Sequence, residues 1–196
     1  MKTNFKDQNN IIVHLYTLCR NEIERLPFAI KYWEKCASHV YVYLMSSTDD
    51  GSREYLQQFP DFITIEEIND EDGFNDKRNQ ILKNSIWKKS RNKADFVIVT
   101  DFDEFIYNPS LLIELQYMKE NEYTIIKPRG YQLITKNNKI IEKQNLKTLL
   151  HEQIKYYFED NNYAKCCIFD PNQIKEIRYS PGAHQCQPIG NVKYLE

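Results

Sequence analysis

FVIVTDFDEF, residues 96–105 of a 196-residue chain, is the stretch on which the fold turns. The continuous run Phe96 to Thr100 is typical of a central strand covered on both faces. Acids follow at once, at Asp101, Asp103 and Glu104. In an open α/β sheet, ligands bind at the carboxyl edge of the strands. Side chains alternate along an extended backbone, which would turn Asp101 and Asp103 to one side and Phe102 to the other. Two carboxylates on one face, with no cation evident beside them, repel one another unless something positive lies between. A hard divalent ion such as Mg2+ or Mn2+ meets that need and would bridge the diphosphate of a bound nucleotide.

Outward from this strand, three earlier runs carry strand patterning: Ile11 to Leu18, His39 to Met45 (HVYVYLM) and Phe62 to Ile68. Helical signals separate them. Pro27 suits the first turn of a helix, with Phe28, Tyr32 and Cys36 on one face. Ser46 to Ser52 reads as a turn and Arg53 to Phe59 as a short helix. Asp76 to Ser90 predicts a longer helix with Ile81, Leu82, Ser85 and Ile86 inward. Strand alternating with helix implies right-handed βαβ crossovers and a largely parallel sheet. Asn108 and Pro109, a cap and a first-turn proline, introduce a helix at Ser110 to Lys119. Beyond it, Tyr123 to Lys127, Tyr131 to Thr135 and Ala164 to Phe169 read as strands, and Leu146 to Phe158 as a helix. The expected fold is α/β: a Rossmann-type, mostly parallel central sheet flanked by helices, with a smaller mixed C-terminal part. A single domain is expected over residues 1–196, its nucleotide-binding half at 1–110 and its acceptor half at 111–196.

Hydrophobic residues make up 41% and charged residues 28%, as in ordinary soluble globular proteins. A formal net charge of -2 with scattered basic residues argues against nucleic acid as the main partner. Met1 to Asn10 is polar and lacks a signal-peptide core. No apolar run approaches the roughly 20 residues needed to span a bilayer. A cytoplasmic protein is expected, with room for peripheral membrane association. Five cysteines, an odd number without an export signal, imply free thiols. Cys166 and Cys167 would point to opposite faces of a strand. A zinc site joining one of them to His184 and Cys186 lacks the usual ligand spacing.

The order of Thr17-Leu18-Cys19-Arg20-Asn21-Glu22, Ser47-Thr48-Asp49-Asp50-Gly51-Ser52, Arg78-Asn79 and Asp101-Phe102-Asp103-Glu104-Phe105 resembles glycosyltransferase family 2 proteins of GT-A fold, in the branch with a DxDEF motif. The likeness covers roughly residues 11–110, and Lys165 to His184 is similar to that branch's C-terminal segment. The resemblance implies a GT-A-like fold and an inverting transfer of sugar from a nucleotide-sugar, a UDP-sugar favoured, to a cell-surface glycan or a lipid-linked acceptor. It implies that Thr17, Arg20 and Glu22 wall the base and ribose, that Asp49 contacts them, and that Arg78 faces the diphosphate. Asp101 and Phe102 would line the donor site, and Asp101, Asp103 and His184 would hold the metal, Mn2+ favoured over Mg2+ by the imidazole. One departure stands out: where the family has an acid and an amide after the second strand, this chain has Leu44 and Met45.

Each role has a plainer reading. Asn21 and Asp76 suit helix caps, Arg78 an exposed helix face, and His184 an ordinary hydrogen-bonded side chain in the Pro181-Gly182 turn. His14 and His39 read as structural. In the implied chemistry, the metal neutralises the departing diphosphate and a carboxylate takes the acceptor's proton. Glu152 and Asp170 are the candidate bases. Two rivals remain. VIVTDFD at residues 97–103 is similar to the phosphatase signature of haloacid-dehalogenase enzymes, but Phe105 stands where that signature wants Thr or Val. The other rival is a catalytically silent nucleotide-binding protein.

Overall fold

The computed structural model describes residues 11–71, 73–134 and 156–195. Its centre is a seven-stranded sheet built from β1 (Val13–Cys19), β2 (His39–Met45), β3 (Ile63–Ile68), β4 (Phe96–Asp101), β5 (Ile125–Ile126), β8 (Ile168–Phe169) and β11 (Tyr194–Leu195). The strand order is β11-β5-β8-β4-β1-β2-β3. β1, β2, β3 and β4 pair in parallel, as do β5 and β11; β8 alone among these runs antiparallel to both its neighbours. The α/β, Rossmann-type architecture is therefore the one expected. Two small antiparallel pairs lie outside the sheet: β6 (Tyr131–Ile134) with β7 (Tyr156–Glu159), and β9 (Ile174–Glu176) with β10 (Ile189–Gly190).

Both faces of the sheet are covered, which explains the unbroken apolar run in β4. On one face Val13, Leu15, Phe96 and Ile98 pack against α1 (Leu26–Cys36) and α4 (Leu111–Glu120), through Leu26, Ala29, Ile30, Trp33, Leu115 and Met118. Pro27 lies in the first turn of α1, where its missing N–H costs nothing. On the other face Tyr16, Tyr43, Val97 and Val99 meet Ile86, Trp87 and Phe169. His14 and His39 stay structural: His14 Nδ1 shares a hydrogen bond with Ser90 Oγ at 2.7 Å, and His39 Nε2 with Thr64 Oγ1 at 2.8 Å.

Several expectations need correction. The short helix α2 covers Ser52–Leu56, and α3 covers Asp76–Ser85 before a 3-10 turn at Ile86–Ser90. Ile81 is 58% exposed, whereas Lys83 is 6% exposed. The inward face is Lys83, Ile86, Trp87 and Ser90. The last helix starts at Leu111, because Asn108 folds the preceding residues into a turn, its side chain accepting from the Ser110 N–H at 2.9 Å. Tyr156 to Phe158, placed in a helix by the sequence pattern, pair as β7 with Leu133, Gln132 and their neighbours in β6; aromatic residues suit a strand. The rest of that predicted helix lies outside the described residues, and of Ala164 to Phe169 only Ile168 and Phe169 are strand. Among the described residues, no helix is long and apolar enough to cross a membrane.

Phe169 ties the reversed strand to the core, its ring meeting Trp87 edge-on at 4.9 Å with no exposure of its own. Phe169→Ala is expected to lower unfolding free energy by about 3–5 kcal/mol, read from the urea midpoint. A loss below about 1 kcal/mol would mean that this contact does not anchor β8.

Candidate active site

The strand order contains a reversal. From β1 the chain runs to β2 and β3 on one side, then returns to lay β4 along the other side of β1. Such a switch point leaves a crevice outside the carboxyl ends of the two strands. The register sets Thr17 beside Thr100 and Leu18 beside Asp101, so the segments leaving β1 and β4 begin side by side.

The rim beside β1 and β2 is held by short polar side chains. Asn21 has a left-handed backbone with φ of 53°, which asparagine tolerates better than most residues. Its Nδ2 donates to Asp49 Oδ1 at 3.1 Å, and its Oδ1 accepts the Asp49 N–H at 3.0 Å. Asp50 accepts the backbone N–H groups of Ile23 and Ser52, each at 2.9 Å, and the Ser52 hydroxyl accepts the Glu22 N–H at 2.9 Å. Asp70, 3% exposed, closes the rim beyond β3. It accepts from Ser46 Oγ at 2.9 Å and from the Ser47 N–H and Oγ at 2.9 and 2.5 Å, with the Arg20 guanidinium 3.8 Å away. Led by the Ser47 hydroxyl, these contacts outweigh burial and hold its pKa down at about 2.

Beyond β4 the chain turns sharply. The Glu104 N–H donates to the Asp101 carbonyl at 3.2 Å, closing a β-turn. Extended alternation therefore ends at Asp101, with Phe102 and Asp103 in the middle of the turn. Phe102 is 4% exposed and its ring meets Trp33 edge-on at 5.4 Å. It is a core residue, which corrects its assignment to the donor site. Tyr32 clamps the outgoing chain: its hydroxyl donates to the Ile106 carbonyl at 2.7 Å and accepts the Ile106 N–H at 3.0 Å.

Asp101 is flanked by cations, against expectation. Lys83 of α3 donates to its Oδ1, and Lys165 donates to its Oδ2 at 2.9 Å and to Glu104 Oε1 at 2.6 Å. Both lysines are 6% exposed. Burial would raise the Asp101 pKa, but the charges of Lys83 and Lys165 outweigh it and the net shift is downward. Glu104 moves the other way, raised by burial and then by the Asp101 charge. Burial pulls Lys165 down, yet the two acids beside it raise it overall. Lys83 was legible only as a polar residue on an otherwise buried helical face, and Lys165 only as the first residue of the C-terminal patch.

Asp103 has different surroundings. It is exposed, and among the described residues no hydrogen bond or ion pair engages its carboxylate. Its charge reaches Glu22 and Arg25 at the end of β1: the Glu22 pKa is raised first by burial and further by Asp103 and Asp50. Arg25 in turn donates to Glu22 Oε2 at 2.5 Å.

The other predicted residues scatter. Arg20, Glu22 and Asp49 stand on the rim. Thr17 is 1% exposed within β1, so it packs inside the sheet and does not wall a ligand. Arg78 donates to the carbonyls of Asn69 and Gly73 at 3.3 and 3.0 Å, which places its guanidinium on the loop between β3 and α3. Asn75, and not Asp76, caps α3 by accepting the Arg78 N–H at 2.9 Å. His184 Nδ1 donates to the Asn162 carbonyl at 2.9 Å, leaving the lone pair on Nε2. Asp170 follows β8, whose register pairs Phe169 with Val97 near the start of β4. It therefore lies at the opposite edge of the sheet, where it accepts from the Asn172 and Gln173 N–H groups at 2.7 and 3.3 Å. That position corrects its candidacy as a base. Glu152 lies outside the described residues.

The donor set says which acid suits a metal ion. Asp101 does not, since ammonium groups hold both its oxygens. Among the described residues, no three His, Cys, Asp or Glu side chains gather to hold an ion. Asp103 does suit one: it is a hard, exposed, unengaged carboxylate, and Mg2+ beside a nucleotide takes one or two carboxylates and completes its shell with phosphate oxygens and water.

No protein-family model matches the chain, and no curated protein matches it. Among solved structures, the "Crystal structure of S. aureus TarS 1-349" is similar over 82% of this chain and 47% of that chain, at 11% sequence identity and a TM-score of 0.46. The present chain thus spans less than half the length of that one.

Asp101→Ala strands the buried Lys83 ammonium, while Lys165 keeps Glu104, and is expected to cost about 3 kcal/mol of stability. Asp103→Ala should change it by less than about 0.5 kcal/mol. Urea titration separates the two, and equal losses would contradict the pairing described. Asp70 supplies a second expectation. With its folded pKa depressed, its contribution is complete above the ordinary carboxylate value of about 4 and is lost as pH falls toward about 2. Asp70→Asn should therefore be less stable at neutral pH and decline less steeply across that acid window, as followed by thermal melts.

Proposed function

We propose that this chain is a glycosyltransferase that takes a sugar from a nucleotide-sugar, a UDP-sugar favoured, and passes it with inversion to a hydroxyl of a glycan or lipid-linked acceptor. One observation carries the reading: the turn at 101–104 stands at the switch point of a largely parallel sheet and offers Asp103 as an exposed, unengaged carboxylate. The four motifs of the family 2 resemblance meet the same rim or its supports. Lys83 and Lys165 hold Asp101, and with it the turn, so that Asp103 keeps a fixed position beside Glu22 and Arg25. On this reading Asp49, held by Asn21, would contact the base and ribose.

A divalent ion, Mn2+ favoured, would be held by Asp103, with His184 Nε2 as a further donor; when bound it supplies positive charge opposite the departing diphosphate. On the acceptor side, β6 and β7 expose Tyr131, Tyr156, Tyr157 and Phe158, whose rings suit the C–H faces of a sugar.

Thermal-shift titration with a panel of nucleotide-sugars, with and without Mn2+, tests the reading, because a ligand that binds the native state raises its stability. A UDP-sugar is expected to stabilise the wild type more strongly with Mn2+. Asp103→Ala should weaken the metal-dependent binding by at least about tenfold, on the order of 1.4 kcal/mol. Slow release of nucleoside diphosphate in water would accompany it. Indifference to every nucleotide-sugar, or release of phosphate from simple esters in its place, would overturn the proposal.

A further inference from the structure

His14, Tyr16 and Ser90 form a polar chain inside the core that sugar transfer does not use. The Tyr16 hydroxyl lies 2.6 Å from Ser90 Oγ, and His14 Nδ1 lies 2.7 Å from the same oxygen. Tyr16 and Ser90 are fully buried, and His14 is 9% exposed. Among the described residues, neither hydroxyl has a further hydrogen-bond partner. The chain joins two elements, since His14 and Tyr16 belong to β1 and Ser90 ends the 3-10 turn that follows α3. Aromatic rings close around it. Tyr41 of β2 stacks on Tyr16 with centroids 4.8 Å apart and meets His14 edge-on at 5.5 Å, and the His39 ring stands 6.1 Å from that of His14.

Two links make the chain, and the Tyr16 and Ser90 hydroxyls bring one proton each. Tyr16 therefore donates to Ser90 and Ser90 donates to His14. Nδ1 is the acceptor, and the imidazole is neutral with its proton on Nε2. A proton on Nδ1 would set three donors on two links and leave one of them buried without an acceptor, which is costly. The surroundings act in the same direction. Burial does most to lower the His14 pKa, followed by His39 and then Lys93. Tyr16 on the same strand, Tyr41 of β2 and Val97, its neighbour in β4, supply no negative charge to offset them.

We propose that the Tyr16–Ser90–His14 chain is an acid-released latch between β1 and the turn at 86–90, opened by a solvent proton that binds His14. The surplus donor reaches water only when Ser90 moves off the sheet. The same turn carries Trp87, packed edge-on against Phe169 at 4.9 Å, and it continues from α3, whose Lys83 holds Asp101. Opening therefore uncovers part of the core and loosens the support behind the turn after β4. A folded-state value below the ordinary histidine pKa of about 6.5 means that the unfolded chain binds the proton more readily. The latch thus stabilises fully above about pH 6.5 and progressively less as the pH falls below it. It operates whether or not the chain transfers sugar.

The test follows the histidine side chains of the isotopically labelled whole chain by long-range proton–nitrogen spectroscopy, with His14→Gln to assign the signal. His14 is expected as the Nε2–H tautomer at neutral pH, with a titration midpoint below about 6.5. Between neutral pH and about pH 5 the melting temperature should fall by roughly 2–4 °C more in the wild type than in His14→Gln. Hydrogen exchange over residues 86–90, corrected for the intrinsic rate, should quicken about tenfold across the same interval while that of α1 stays constant. These exchange rates come from the wild type and decide the matter even if the variant does not fold. A proton on Nδ1 at neutral pH, a midpoint at or above the ordinary histidine value, or equal exchange at both pH values would overturn the proposal.

Discussion

An ammonium group removed from water inside a protein needs an anion, and Lys83 and Lys165 meet at the same one. Asp101 receives a hydrogen bond from each on separate oxygens, and Lys165 passes on to Glu104. Three segments far apart in sequence are thereby joined: the second half of α3, the end of β4, and the approach to β8. Removing Asp101 leaves Lys83 buried without an anion, so electrostatics as well as packing hold the turn after β4. The two acids of the DxD motif then divide their work, Asp101 positioning the turn and Asp103 facing outward.

The opposite wall of the crevice is stiffened differently, by many modest hydrogen bonds in place of two strong ion pairs. Asn21 and Asp49 exchange bonds, Asp50 holds two backbone N–H groups, and Asp70 gathers Ser46 and Ser47 beneath Arg20. Loops fastened in this way lose little freedom when a ligand arrives, and less of the contact energy is then offset by ordering. Tyr32 does the same for the chain leaving β4, using one hydroxyl on both the N–H and carbonyl of Ile106.

Much of this was legible from patterning alone. The strand His39–Met45 is found at its expected bounds, and FVIVT is the doubly covered central strand that its continuity implied. The failures share a cause. Assigning α3 an inward face of Ile81, Leu82, Ser85 and Ile86 follows from placing apolar residues inside. The true face includes Lys83 because an ion pair with Asp101, eighteen residues away in sequence, outweighs apolarity there. Alternation past Asp101 failed because a backbone hydrogen bond within 101–104 closes a turn, sending Phe102 to Trp33. Asp170 looked available as an acid in the acceptor half, and only the antiparallel course of β8 reveals that it stands at the far edge. Long-range pairing of this kind has no local signature.

The course of β8 also bears on how the molecule assembles. β5 does not pair with β4; both pair with β8, which lies between them and runs against them. During synthesis the strands β1 to β4 emerge first and can associate, while β5, though already made, has no place in the sheet until residues 168 and 169 arrive. Until then one border of β4 is open along its hydrogen-bonding groups, the state in which strands pair with the wrong partners. A nascent chain thus carries an unfinished seam on its most apolar strand, and two late residues, Ile168 and Phe169, close it.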